Sequence, residues 1–587
     1  MAELKGLPCP AGSYHYDLGT YSRRISTKSQ DAQKWFDRGV MWCYGFNHEE
    51  GVVCFQHAID HDPECAMAYW GFAYALGPNY NRSWQLFGRD EYKNVRLQTH
   101  RAVERAKLCQ ATPVEKALIR ALDVRYPGQD AKENFSVWNI AYADAMEKVY
   151  GDFPDDLDVA ALYADAMMNL APWQMWSVAT GKPAREARTL QTKAVLERAL
   201  ANGGDWHPGV IHLYIHLMEM SPTPEAALKV ADRLRGMVPD AGHLHHMPSH
   251  LHILCGNYQE AVKCNAEAAE ANEKYAHRNG DLNFYTVYRL HDYHFLVYAA
   301  MFAGQYKVAV DTCKKLEDSI SDELLLTGTP NMANWLEAFC TLRLHTYIRF
   351  GRWEELVALP LPANPDLYCV TYAMTHYAKG VAHAALGNIA EADSERELFR
   401  EAASKVPESR THLHNKCVDI MKIASDMLDG EIAYRKRDFD AAFACLRRSG
   451  AKSDLLPYEE PWAWMQPPRH ALGALLLEQG HVEEAAVEYA LDLGIPDPRT
   501  GAPLPRQLRH EDNVWALHGY HECLVRLGRR TEAEDIKPRL DKALSIADIK
   551  IESSCFCRRG KAAAGGWSGK RGKKSDTDSA KVPGPRI

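Results

Sequence analysis

The 587-residue sequence has no apolar run near the ~18 residues that a membrane-spanning helix needs, and Met1-Ala-Glu-Leu-Lys5 opens without the apolar stretch of a signal peptide. No membrane partner and no secretion leader are therefore indicated. Its fifteen cysteines include no CxxC pair and are scattered singly, which argues against a disulfide framework and for reduced thiols in a cytoplasmic chain. Phosphate-binding G-x-x-x-x-G-K-[ST], dinucleotide-binding G-x-G-x-x-G and the nucleophile elbow are all missing. So is HExxH, since His521-Glu522 lacks a second histidine. An overall net charge of −8 excludes nucleic acid as the natural partner of the folded body.

What is there is a repeat. Trp35, Gly39, Trp42, Gly51, Phe55, Ala58 and Pro63 fall at positions 4, 8, 11, 20, 24, 27 and 32 of a 34-residue unit, and Tyr69 and Ala73 restart it. That is the tetratricopeptide (TPR) pattern of two antiparallel helices. The turn between the helices recurs as Gly256-Asn-Tyr258-Gln-Glu260-Ala261, at Gly304, Gly351 and Gly387, and again at Gly480 and Gly528. Glycine there supplies the positive φ that ends one helix. The spacing predicts an all-α, right-handed TPR-type solenoid over residues 31–550, after an N-terminal extension 1–30. From Arg558 onward nine basic residues stand against two aspartates, and residues 551–587 read as a basic, solvated tail.

Two HxxxH pairs, His212/His216 and His246/His250, lie one repeat length of 34 residues apart. Residues four apart share a helix face, so both pairs occupy positions 5 and 9 of consecutive repeats. His243 takes position 2, and after a 14-residue insertion His291, His294 and Tyr298 take positions 2, 5 and 9 of the next unit. Glu219 is at position 12, and His345 falls at the edge. Positions 2, 5, 9 and 12 line the concave groove of such solenoids, so the groove at about 207–300 is expected to present seven histidines. In-phase imidazoles suit zinc, copper or iron. The expected ligands are His212, His216, His246, His250 and His294, followed by His243 and His291, with Glu219 as general base and Tyr298 as hydrogen-bond or redox partner. His245, His252 and His383 read as structural. Pro248, inside His246-Met-Pro-Ser-His250, predicts a late start or a kink in that helix. Glu460 and Arg469 flank a proline-rich break; they either orient an anionic substrate over the groove or form a structural Glu–Arg pair. Asn79 and Tyr80 read as structural.

Several stretches go beyond general TPR features: Ala68-Tyr-Trp-Gly-Phe-Ala-Tyr-Ala-Leu-Gly-Pro-Asn-Tyr-Asn81, Tyr163-Ala-Asp-Ala-Met-Met-Asn-Leu-Ala-Pro-Trp173, His207-Pro-Gly209 before the first HxxxH, Ala241-Gly-His-Leu-His-His-Met-Pro-Ser-His250, Tyr458-Glu-Glu-Pro461 and Pro468-Arg469. With these, the sequence from about Gly12 to Cys557 resembles a family of large TPR-containing proteins, mainly bacterial with fungal-type members. The resemblance implies the two HxxxH pairs and the His291/His294 pair as shared features, and no reaction. The sequence departs from that family at Ala171 and in the basic tail. The expected function is a solenoid metalloprotein, a metal-dependent hydrolase or oxidoreductase acting on a small molecule. The alternative is a scaffold holding a protein or peptide in the same groove.

Overall fold

The computed structural model describes residues 9–127, 133–328 and 332–559, and it is an all-α solenoid of antiparallel helix pairs stacked in chain order. The first pair, Gln30–Tyr44 and His48–His61, shows how the repeat sequence specifies it. Ser29 and Asn47 cap the two helices by accepting from the backbone N–H of Ala32 and Glu50. Gly39 and Gly71 both face the Phe55 ring, where a Cβ would stand within 2.7 Å and 2.3 Å of it, so neighbouring helices approach closely. The turn glycines Gly256, Gly304, Gly351, Gly387, Gly480 and Gly528 all have φ between 64° and 87°, as the turn motif predicts.

The repeats that carry the histidines depart from regularity where the sequence does. Pro208–Glu219 begins at a proline in its first turn, with His207 as the cap. The next helix is divided into Gly242–His246 and Pro248–Leu254, hinged at Met247 because Pro248 has no N–H to continue the ladder. Its partner, Tyr258–Asn279, runs to 22 residues and absorbs part of the insertion before Thr286–Phe302. Gly242 lies against this long helix, and a Cβ there would be 2.3 Å from Asn272 Oδ1 and 2.7 Å from the Ala268 carbonyl. Gly242→Ala is therefore expected to cost about 1–3 kcal/mol through overpacking, read as a lower denaturant midpoint with unchanged slope.

The apolar core divides at these repeats. One continuous cluster runs from Ala11 to Leu251, joined by Tyr275, Tyr285, Tyr288 and Tyr458; a second runs from Ile253 to Cys557. The histidine layer forms the seam. The C-terminal repeats return over it: Gln507 donates to the Ser221 carbonyl at 2.8 Å and Arg506 to that of Leu254 at 2.5 Å, while the Trp462 indole donates to Gln507 O at 2.8 Å. A two-stranded hairpin, Thr411–His412 with Asn415–Lys416, turns through Leu413 at φ 48°. The C-terminal part of the chain thus contacts the histidine-bearing repeats.

Residues on both sides of the expected solenoid also pack onto it. Tyr21 donates to Asp158 at 2.7 Å, and Tyr16 to Asn279 at 3.1 Å. Ile551, Phe556 and Cys557 are buried in the second cluster, and Arg558 pairs with Glu522 at 2.8 Å. The expected tail beyond Arg559 lies outside the described residues. Cys555 and Cys557 are joined as a disulfide across a single residue, a spacing the CxxC pattern does not cover, while the other thirteen described cysteines are free. No described helix is long and apolar enough to cross a membrane.

Candidate metal centre

Six of the seven predicted imidazoles come together as two sets of three. In each set, one ring nitrogen per histidine lies within 4.8 Å of the others: His212, His216 and His243 form one set, and His246, His250 and His291 the other. The composition of the sets follows the repeat. Each joins the histidines at positions 5 and 9 of one helix to the histidine at position 2 of the next repeat, so the 34-residue period duplicates the site. A third copy does not form: Tyr298 stands at position 9 and Ala338 at position 2 of the following repeat.

The hydrogen bonds behind the rings fix their tautomers. His212 Nδ1 donates to the Tyr44 carbonyl at 2.6 Å. His246 Nδ1 donates to Asn265 Oδ1 at 2.7 Å; the Asn265 amide is oriented by its own bond to the Ala261 carbonyl at 2.8 Å. His216 Nδ1 and His250 Nδ1 are hydrogen-bonded to the two oxygens of Glu219, the first at 3.1 Å. With Nδ1 carrying the proton in His212 and His246, the Nε2 of each points inward as an acceptor. His212 Nε2 and His216 Nε2 are buried with no partner, as are both nitrogens of His243, while His246 Nε2 and His250 Nε2 face each other at 2.7 Å. Buried acceptors that converge without a donor call for a cation. Donating Nδ1–H to a carboxylate, amide or carbonyl is the arrangement that orients a metal-ligating histidine.

Burial sets the protonation. It pushes His212 down to about 3 and His246 to about 4, and takes His216, His243, His250 and His291 well below the ordinary range, with neighbouring rings adding to the shift in these four. Neutral rings are what metal ligation needs. Burial likewise holds Glu219 well above the carboxylate range, with Glu460 contributing, and raises Asp292, whose Oδ1 lies 3.4 Å from His246 Nδ1. Phe46, held at φ 57°, floors the first set, its ring 4.4 Å from His212 and 5.5 Å from His243.

The remaining predicted residues are placed as follows. Glu219 stands between the two sets, its oxygens hydrogen-bonded to His216 and His250, and with these two histidines it forms a third group whose ligand atoms lie within 4.8 Å of one another. His294 sits outside both sets: its Nε2 meets Met465 Sδ at 3.2 Å and its ring is 4.6 Å from that of His412. Tyr298 does not reach the centre. It is 2% exposed in the apolar core, stacked on Phe302 at 4.4 Å, because the helix face turns from the seam into the second cluster. His345 is buried beside Trp464. Glu460 does reach the centre, Oε2 being 3.8 Å from His250 Nδ1. Arg469 does not pair with it but with Asp454, at 2.6 and 2.8 Å; a start at Pro468 points it the other way along its helix. His245 and His252 are satisfied by the Pro239 carbonyl and Asp232.

Beside the two sets lies a cavity of about 140 Å³, reached by His243, His250, His291 and Glu460 and walled by Trp173, Phe284, Tyr288, Trp335, Leu413 and His414. The sequence pattern does not single out Tyr44, Asn265, Phe46, Trp173, Trp335 or the 411–416 hairpin. These come from other repeats or from loops outside the 34-residue register. Only Trp173 carries a sequence signal, as the last residue of the Tyr163–Trp173 stretch that resembles the TPR-containing family.

Fold and site together define a TPR-type helical-repeat protein with a buried multi-histidine centre. No family model matches the chain, and no curated protein sequence matches it. Among solved structures, it is similar to the human IFIT1 dimer with m7Gppp-AAAA (11% identity, 89% of this chain and 92% of that one, TM-score 0.29). It is also similar to Cut9 in the APC/C hetero-tetramer Cut9–Hcn1 (12%, 88% and 78%, 0.28). These scores carry no statement about ligand or activity.

Proposed function

We propose that this protein is a dinuclear metalloenzyme, each of its two three-histidine sets holding one first-row transition ion, and that it acts on a small molecule in the adjoining cavity. The observation that carries this is the convergence of six buried, uncharged imidazoles in two sets, the ring nitrogens of each set lying within 4.8 Å of one another. The donors are all imidazole. That disfavours magnesium, calcium and manganese, which prefer oxygen, and favours copper at the top of the divalent affinity order, with zinc next. When bound by three protein ligands, such an ion supplies open coordination positions for a small molecule such as water or dioxygen. The chain's own residues orient the rings through Tyr44, Glu219 and Asn265. They also keep bulk water from the rings, which apart from His291 are at most 1% exposed. An oxidoreductase is the reading that copper supports, and a hydrolase the one that zinc supports.

A scaffold holding a protein or peptide is the alternative; Leu413, His414, Glu459 and Glu460 line the space beside the histidines where such a partner would sit. Elemental mass spectrometry on untagged protein, as purified and after reconstitution with copper, zinc or iron, is expected to give close to two equivalents of one ion. Less than half an equivalent with every ion would overturn the proposal.

A further inference from the structure

We infer that the cavity takes a small neutral aromatic molecule carrying one hydrogen-bond donor, of the phenol class. The inference rests on the metal reading for what happens to that molecule, but its binding is decided by the cavity itself.

Size comes first. A space of about 140 Å³ matches the ~150 Å³ at which a dry apolar cavity admits benzene, so one six-membered ring fits and a peptide or sugar chain does not. The walls offer π-faces at mutual angles. The Phe284 and Trp335 rings are 6.0 Å apart at 85°, and Phe284 and Tyr288 are 6.1 Å apart at 78°. A flat ring entering between them meets edges and faces, the geometry aromatic pairs prefer.

Polarity narrows the class further. Glu460 is 3% exposed, lines the cavity, and has Oε1 buried without a hydrogen-bond partner. Glu459, the other acid of the lining, is committed to the His412 ring at 3.2 Å and the His414 backbone N–H at 2.9 Å. No lysine or arginine is among the lining residues, so an anionic ring finds no partner in the cavity wall itself. A cationic one would face ions held by six neutral rings. A neutral ring whose O–H donates to Glu460 Oε1 satisfies the orphaned oxygen and needs no counter-charge.

Isothermal titration calorimetry of the full chain, metal-loaded and metal-stripped, with phenol, toluene, benzoate and benzylammonium tests this. Phenol is expected to bind at least about tenfold tighter than its isostere toluene, the worth of one buried hydrogen bond, and tighter than either charged ring. Glu460→Leu is expected to bring the phenol-to-toluene ratio down to about one while toluene binding and metal content persist. Equal binding of phenol and toluene, preference for benzoate or benzylammonium, or no binding at all overturns the inference. The wild-type series decides the matter alone if Glu460→Leu does not fold. Metal content is read on the same samples. Two equivalents with no phenol preference sink this inference only, and phenol preference without metal sinks the metal reading only.

Discussion

Glu219→Leu is expected to lose both metal ions, although Glu219 belongs to neither three-histidine set. Its two carboxyl oxygens are hydrogen-bonded to His216 Nδ1 in one set and His250 Nδ1 in the other. Without that partner each ring is free to place its proton on Nε2, which then cannot bind a metal. Loss of such a bracing partner typically weakens metal affinity ~10–100-fold, and here both sets are struck by one substitution. His212→Ala and His291→Ala each remove a ligand from one set only, and each is expected to leave about one equivalent. Glu219→Gln keeps a single acceptor oxygen and is expected to fall between. The measurement is metal content after dialysis against a weak chelator, with thermal midpoints checked in parallel. Two equivalents retained by Glu219→Leu at wild-type affinity would show that the carboxylate braces nothing. If His212→Ala and His291→Ala each emptied the whole site, the centre would be one cluster and not two.

This arrangement explains how much of the centre could be read from the sequence. A period of 34 places His212/His216 and His246/His250 in register, and counting from Gly256 and Gly304 places His243 and His291 at position 2; six ligand candidates were legible. Their grouping was not, because it depends on how far a position-2 side chain reaches back toward the preceding repeat. His294 and Tyr298 follow the same register yet miss the centre, since the packing turns their helix into the second core cluster. Nor does the local pattern reveal that residues 458–465 reach the histidine-bearing repeats. That contact spans more than 200 residues and rests on superhelical curvature, as does the approach of Glu460 to His250 at 3.8 Å. The divided helix at Met247 was legible through Pro248, and its consequence is that His246 and His250 come from two short segments.

The metal-free protein is expected to be acid-labile over a window that these histidines define. Burial holds His212 and His345 at about 3 and His246 at about 4, against an unfolded value of about 6.5. A histidine with a lowered folded pKa binds fewer protons folded than unfolded, so its neutral form costs nothing above about pH 6.5 and destabilises increasingly below it. At pH 5 each of these rings costs about 2 kcal/mol, or roughly 6 kcal/mol for the three. His216, His243, His250, His291 and His294, all pushed well below the ordinary range, act in the same direction. The sum rivals the ~5–15 kcal/mol that holds a typical folded domain together. Stripped protein should therefore be stable from about pH 8 to 6.5 and lose its thermal midpoint steeply between pH 6.5 and 5. The loaded protein should follow only at lower pH, where protons displace the ions. His345 lies outside both sets, so His345→Phe should make the acid slope shallower in stripped and loaded protein alike, whereas His246→Phe should do so only in the stripped form. Thermal unfolding across this range, with and without metal, checks each expectation. A stripped protein whose midpoint stays level down to pH 5 would mean that the rings take up protons while folded, and that the buried, neutral-imidazole description of the centre is wrong.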